Sequence, residues 1–266
     1  MKKYAIIAWY TLPRNSTRCG GPQEGTRGRD VQLTVREVGK FLNVSEATVT
    51  RWIRQRGLPA HHVGGQYRCH RAELLEWATA NQIQVAVEMF DQSADEAEPL
   101  PTLAEALEIG GIHYGLADSN KDQALRALVQ ILPLPAGVDR EVLLRLFQAR
   151  ESAASTGVGD GIAIPHVRNP IVLNVNQPTI TLAFLANPVE FGALDGKPVY
   201  IFFSLICPTT RSHLQMLSRL SYALHDDGFK SAVTRQAPRE EILSEARRLG
   251  IKLSAPKAAP DEAERP

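Results

Sequence analysis

The spacing of apolar positions changes several times along the chain, and each change marks an element. From Leu33 onward, Val35, Val38, Phe41 and Leu42 recur at helical intervals behind Thr34-Val35-Arg36-Glu37, a capping-box signature. Asn43-Val44 interrupts that period, and Ser45 offers a cap for a second helix, Glu46 to Arg56, which Gly57 and Pro59 end. Val49, Trp52 and Ile53 form its inner stripe, while Thr48, Arg51, Arg54 and Gln55 face outward. Two apolar-polar stretches, 60–63 and 66–69, then flank Gly64-Gly65, a hairpin signal. Helical spacing returns from Arg71 to Ala80 with Leu74, Leu75 and Trp77.

After a polar interval the pattern resumes as alternating helices and strands. Leu103 to Ile109 reads as a short helix, Gly111 to Leu116 as a strand, and Asp122 to Leu132 as a helix stopped by Pro133 and Pro135. A further helix runs from Asp139 to Arg150. The run Ile162-Ala163-Ile164 reads as a short buried strand, Thr179 to Leu185 as another, and Val199 to Cys207 as a nearly continuous apolar one. A helix carrying His213, Leu214, Met216, Leu217 and Leu220 follows Pro208, and Asp226-Asp227-Gly228 reads as a turn. Strands alternating with helices predict an α/β layer fold with helices on both faces and a small helix-turn-helix unit ahead of it. Ligands of such sheets gather at strand ends, where His166 and the start of the His213 helix both fall.

Charge divides the chain into different physical objects. Residues 1–30 hold six Lys/Arg against two acids, 31–82 seven against four, 83–101 none against five, and 102–253 fifteen of each. We therefore expect an extension at 1–30 that is not part of a packed core, a basic module at 31–82, an acidic tether at 83–101, a body at 102–253, and an Ala, Pro and acid-rich tail at 254–266. Cys19, Cys69 and Cys207 are scattered and odd in number, which argues against a disulfide framework and for a reducing compartment. The apolar patch Ala5 to Tyr10 is short for a signal peptide, and no stretch approaches the ~20 apolar residues of a membrane span. A cytoplasmic protein without membrane partners is expected. His61, His62, Cys69 and His70 lack a C-x-x-C anchor, and neighbours on a strand point to opposite faces, so no metal site is assigned and no cofactor is called for.

The densest chemistry lies in Arg150 to His166, RESAASTGVGDGIAIPH. Glycines at 157, 159 and 161 permit positive φ and suit a concavity of backbone N–H groups around an anion. Pro165 ends the apolar run and leaves a histidine at the strand's mouth. A neutral imidazole there is a nucleophile, and its phosphorylated form remains a phosphoryl donor.

This stretch resembles the active-site segment of the mannitol/fructose/nitrogen-type enzyme IIA proteins of the bacterial phosphoenolpyruvate-dependent phosphotransferase system. The stretches 191–208 (FGALDGKPVYIFFSLICP) and 211–224 (RSHLQMLSRLSYAL) are similar to that family in order and spacing. The resemblance implies that His166 accepts a phosphoryl group from the histidine-containing phosphocarrier protein. It further implies that Arg150 neutralises the group, that His213 orients it, and that Thr156 and the backbone of 157–161 add hydrogen bonds. Residues 34–78 resemble the winged helix-turn-helix modules of the excisionase and MerR-like type, which implies that Arg51, Arg54 and Arg68 lie at DNA; Thr48, on the outward face of the helix that carries Arg51 and Arg54, is a further candidate. Only +3 on the module predicts weak, salt-sensitive binding by one copy, so a homodimer or tandem sites are expected. The chain has no cysteine-bearing enzyme IIB segment and no permease. Three readings follow: a DNA-binding regulator that senses phosphorylation state in a sugar or nitrogen context; a phosphocarrier for a separate enzyme IIB or other partner, with the module used for protein contacts; or a body that is a non-phosphorylated protein-binding scaffold.

Overall fold

The computed structural model describes residues 32–81, 83, 85, 100–117, 120–167 and 175–254. The extension at 1–30, most of the acidic tether and the tail beyond Ser254 lie outside the described residues. The chain enters on a strand that the apolar spacing does not reveal, β1 (Gln32–Thr34). Thr34 ends β1 and caps α1 (Val35–Phe41): its Oγ1 accepts the Glu37 amide at 3.2 Å, and the Glu37 carboxylate accepts the Thr34 amide at 2.7 Å. Ser45 caps α2 (Glu46–Gln55) in turn. Strands β2 (His61–Val63) and β3 (Gln66–His70) join through Gly64 and Gly65, whose φ values of 57° and 80° require residues without a Cβ penalty. β3 is central in an antiparallel three-stranded sheet, β1-β3-β2.

Helix α3 (Arg71–Ala80) closes this module. Its Leu74, Leu75 and Ala78 are fully buried in the same apolar cluster as Leu33, Phe41, Val49 and Cys69. Its Trp77 ring packs 5.5 Å from that of Trp52, and the indole N–H donates to the Arg56 carbonyl at 3.1 Å. Through Trp77, α3 is fastened to the end of α2.

The body comprises α4 (Leu103–Gly110), β4 (Ile112–Leu116), α5 (Lys121–Ile131), α6 (Arg140–Ala153), β5 (Gly157–Gly159), β6 (Ile162–Ala163), β7 (Thr179–Val189), β8 (Val199–Ile206), α7 (Thr210–Leu224), α8 (Asp227–Thr234) and α9 (Arg239–Ser254). Its five strands run in the order β4-β7-β8-β6-β5. β4 with β7 and β6 with β8 are parallel, whereas β7 with β8 and β5 with β6 are antiparallel. Strand alternation separates two cores. Ile180, Leu182, Phe184, Ile201, Phe203 and Leu205 join one face with α4, α7, α8 and α9, while Ala183, Leu185, Phe202 and Ile206 join the other with α5 and α6. The fold is mixed α/β with helices on both faces, as the pattern predicts. Among the described residues no helix is long and apolar enough to cross a membrane.

Three local expectations are corrected. Asp226 does not start an open turn: its Oδ1 accepts from Gly228 and Phe229 amides, both at 3.1 Å, and so caps α8. Helix α6 continues three residues past Arg150, placing that side chain in its last turn. The glycine stretch is not a ring of anion-binding amides, because Gly157–Gly159 is a buried strand paired with β6. Its glycines answer to packing. A Cβ on Gly157 would lie 2.6 Å from that of Ala193, and one on Gly161, at φ 75°, would lie 2.0 Å from the Tyr200 ring.

Candidate functional site

Beyond β6, Ile164 and Pro165 leave the ladder, and pairing resumes in a single parallel bridge between His166 and Leu205 of β8. His166 is therefore anchored to the central strand and is 3% exposed. Its Nδ1 stands 2.7 Å from the Ile164 carbonyl. A carbonyl only accepts, so Nδ1 carries a proton and Nε2 holds the lone pair of the neutral ring. The backbone thereby selects which nitrogen is the nucleophile.

His213 arrives from the opposite direction. The cap formed by Thr209 and Ser212 starts α7 just after β8, so the first turn of α7 sets His213 over the strand end, its ring 4.9 Å from that of His166. Burial, then the His166 ring and Arg150, push its pKa down to about 3 against the opposing pull of Glu76. It is a neutral ring at physiological pH, with one donor and one acceptor nitrogen.

Arg150 comes from the other helical layer. Its Nη1 donates to the Ala154 carbonyl at 2.8 Å across the end of α6, and its Nη2 donates to Glu76 at 2.7 Å. Its side chain is only 8% exposed, and its Nε–H is buried with no hydrogen-bond partner among the described residues. Next to it, Glu151 is buried and pairs with Lys121 Nζ at 2.9 Å. The other Glu151 oxygen accepts the Thr156 amide at 3.0 Å and the Thr156 hydroxyl at 2.6 Å. Thr156 thus donates its hydroxyl proton to Glu151, and the pair fixes the start of β5 relative to α6.

The residue that sequence reasoning did not single out is Glu76, from α3 of the N-terminal module. One of its oxygens lies 3.2 Å from His166 Nε2 and the other takes the Arg150 bond. A carboxylate oxygen only accepts, so Nε2 can bond Glu76 only through a proton of its own, and its lone pair is free for attack only when Glu76 is away. The guanidinium and this N–H then converge on one carboxylate, the arrangement of an anion site. Glu76, His166 and His213 also offer three ligand atoms within 4.8 Å of one another, a set that a metal ion could use only in competition with the Arg150 guanidinium for the same carboxylate. The sequence pattern likewise assigns no role to Glu151 or Lys121, although Glu151 directly follows Arg150. Glu76 gave no signal, being one acid on an amphipathic helix.

None of the candidate DNA-binding residues is among the side chains that meet at this site. Arg51 and Arg54 are exposed on α2. Thr48 is half-buried and belongs to the cap, its amide and hydroxyl 3.2 and 3.0 Å from Ser45 Oγ. Arg68 is half-buried on β3, donates to Gln66 at 3.3 Å, and lies near enough to Glu37 to help hold that carboxylate below its usual range, after the larger effect of the Thr34 hydrogen bonds. The hairpin's Cys69 is buried, its thiol pushed up to about 11 mainly by desolvation, which makes it a core residue.

Comparison with known proteins places both parts of the chain among described families. Residues 106–246 match the family model described as "Phosphoenolpyruvate-dependent sugar phosphotransferase system, EIIA 2", and residues 33–82 match a helix-turn-helix domain. A PTS system fructose-specific EIIA component of Haloferax volcanii is 40% identical over 92 residues, 34% of this chain and 58% of that protein. The chain thus spans less than two thirds of the length of that relative. A nitrogen regulatory protein of Pseudomonas aeruginosa is 36% identical over 124 residues, 44% of this chain and 78% of that protein. Among solved structures, the nitrogen regulatory protein IIA-Ntr from Neisseria meningitidis superimposes with a TM-score of 0.48 at 28% identity, covering 54% of this chain and 98% of its own. Because one family model accounts for more than half of the residues, the chain belongs to the EIIA 2 family of the phosphoenolpyruvate-dependent sugar phosphotransferase system and bears a helix-turn-helix domain on its N-terminal side.

Proposed function

We propose that the chain is a phosphoryl-accepting regulator that couples the phosphorylation state of His166 to DNA binding by its helix-turn-helix module. The observation that supports this reading best is the meeting of His166, His213 and Arg150 at one buried anion site that a residue of the module also enters.

In the transfer step, the lone pair of His166 Nε2 attacks the phosphorus of a phosphohistidine on the histidine-containing phosphocarrier. The new Nε2–P bond forms as the donor's N–P bond breaks, and that bond's electron pair returns to the donor ring. Nδ1 keeps its proton, and the Ile164 carbonyl stabilises the charge that the phosphorylated ring acquires. Phosphoryl transfer asks mainly for position and for positive charge around the equatorial oxygens. Arg150 supplies that charge through Nη2 and the adjacent Nε–H, and the neutral His213 donates one N–H. Glu151 keeps Thr156 and the β5 entry in place rather than leaving the hydroxyl for the phosphoryl group. On the module, Thr48, Arg51 and Arg54 of α2 read or grip one groove, and Arg68 of the hairpin meets the adjacent backbone.

Incubation with phosphoenolpyruvate, enzyme I and the phosphocarrier tests the first half: acid-labile phosphate appears on the wild-type chain and not on His166→Ala. Gel shifts on genomic fragments, with and without phosphorylation, test the second. Phosphate uptake without any DNA retention would favour onward transfer to a separate enzyme IIB or other acceptor.

A further inference from the structure

The phosphoryl site is already in contact with an anion belonging to the chain itself. Glu76 bridges His166 Nε2 and Arg150 Nη2, the nucleophile and the cation that the transfer step uses. An oxygen 3.2 Å from Nε2 bonds it only through a proton on that nitrogen, so while Glu76 is in place no lone pair is free there and no phosphorus atom has room to approach. In addition, His166 and His213 are 3% and 4% exposed, so a donor protein's ring reaches neither while α3 stays in place. Helix α3 packs against α7 and β5, the elements that flank the site.

We propose that Glu76 makes α3 of the helix-turn-helix module the resident occupant of the phosphoryl site, so that docking of the module and phosphorylation of His166 exclude one another. The inference rests on His166 being the acceptor. The carboxylate stands where the phosphoryl oxygens would sit, and it uses one donor of the guanidinium while leaving the adjacent buried Nε–H without a partner. A phosphoryl group, with three terminal oxygens and more charge, satisfies both donors. Once it is attached, Glu76 would face a dianion across about 3 Å in a poorly screened site, and like charges at that range are strongly unfavourable. Arg150 cannot neutralise both, so the carboxylate leaves. Glu76 does not leave alone, because the next residue, Trp77, is fastened to α2 by its packing on Trp52 and by its bond to the Arg56 carbonyl. Phosphorylation therefore frees the DNA-reading module as one body.

The test follows the phosphorylation of the full chain by phosphoenolpyruvate, enzyme I and the phosphocarrier for wild type, Glu76→Ala, Glu76→Gln, and the α3 control Glu73→Gln, whose native partner is His61 on the hairpin. The two Glu76 variants should accept phosphate at least about tenfold faster, since the wild type reacts only through its undocked fraction, and Glu73→Gln should match wild type. Amide hydrogen exchange on the wild type provides a readout that needs no variant: α3, β5 and the first turns of α7 should lose protection on phosphorylation. Equal or slower uptake by both Glu76 variants, or α3 protection unchanged after stoichiometric phosphorylation, would overturn the inference while leaving His166 as acceptor. Failure of every form to take up phosphate would instead remove the acceptor reading on which it stands.

Discussion

Arg54 and Arg150 are the same residue type in the last turn of two helices, yet they occupy opposite physical worlds. Arg54 on α2 is exposed, beside an equally exposed Arg51, on a module whose balance is mildly basic. Arg150 on α6 is buried and committed to a carbonyl and a carboxylate. Exposed cations act as screened point charges, each contributing modestly and much as its neighbour does. A buried guanidinium acts through fixed geometry, and removing it strands the partner charge. The recognition surface should thus respond to change by degrees and the phosphoryl site by all or nothing.

The sharpest break in that contrast is His166→Ala, which should abolish acid-labile phosphate while leaving the melting temperature of the module's helices near that of wild type, measured by radiolabel retention and circular dichroism. Next comes Arg150→Ala. Leaving Glu76 buried without its cation should cost about 3–5 kcal/mol in urea denaturation. The double variant Arg150→Ala/Glu76→Ala should recover part of that loss, with a coupling energy of about 1–3 kcal/mol. If the double variant is simply additive, the two side chains do not act as a pair.

His213 yields a prediction in pH. Its ring is held down to about 3 in the folded protein, whereas the unfolded imidazole takes its proton near pH 6.5. The unfolded state therefore binds more protons below that pH. The stability it confers is fully present above about pH 6.5 and falls as the pH drops toward 3, by about 2 kcal/mol between pH 7 and pH 5. His213→Gln should flatten that part of the profile. The smallest effects belong to the exposed surface: Arg51→Ala or Arg54→Ala should each weaken DNA binding by about 1–3 kcal/mol where a base edge is read, or lower the salt slope by about 1 where a phosphate is gripped. Fluorescence anisotropy across a salt series separates the two.

How much of this was legible differs between the same two regions. The two caps at Thr34 and Ser45, the hairpin glycines and the apolar stripe of α2 are local signals, and the sequence pattern reads them with nearly the observed bounds. β1 escaped because three residues paired to β3 make no period of their own. In the body, the strand-end histidine and the start of α7 could be placed by spacing, since each is fixed by a neighbouring proline or cap. The glycine stretch misled for a physical reason: the same residue type serves positive φ, anion nests and close packing. Which applies here depends on Ala193 and Tyr200, more than thirty residues away. Glu76 was illegible altogether, because its partners lie 74 and 90 residues further along and a single acid on a helix face has no pattern to betray it.

The measurement that reaches the centre of the account is phosphorus NMR of the phosphorylated full chain, with histidine-labelled nitrogen to assign the bonded atom. The backbone bond from Nδ1 to Ile164 dictates one phosphohistidine resonance, bonded through Nε2, present in wild type and absent from His166→Asn. Phosphorus on Nδ1, or on any other residue, would contradict it.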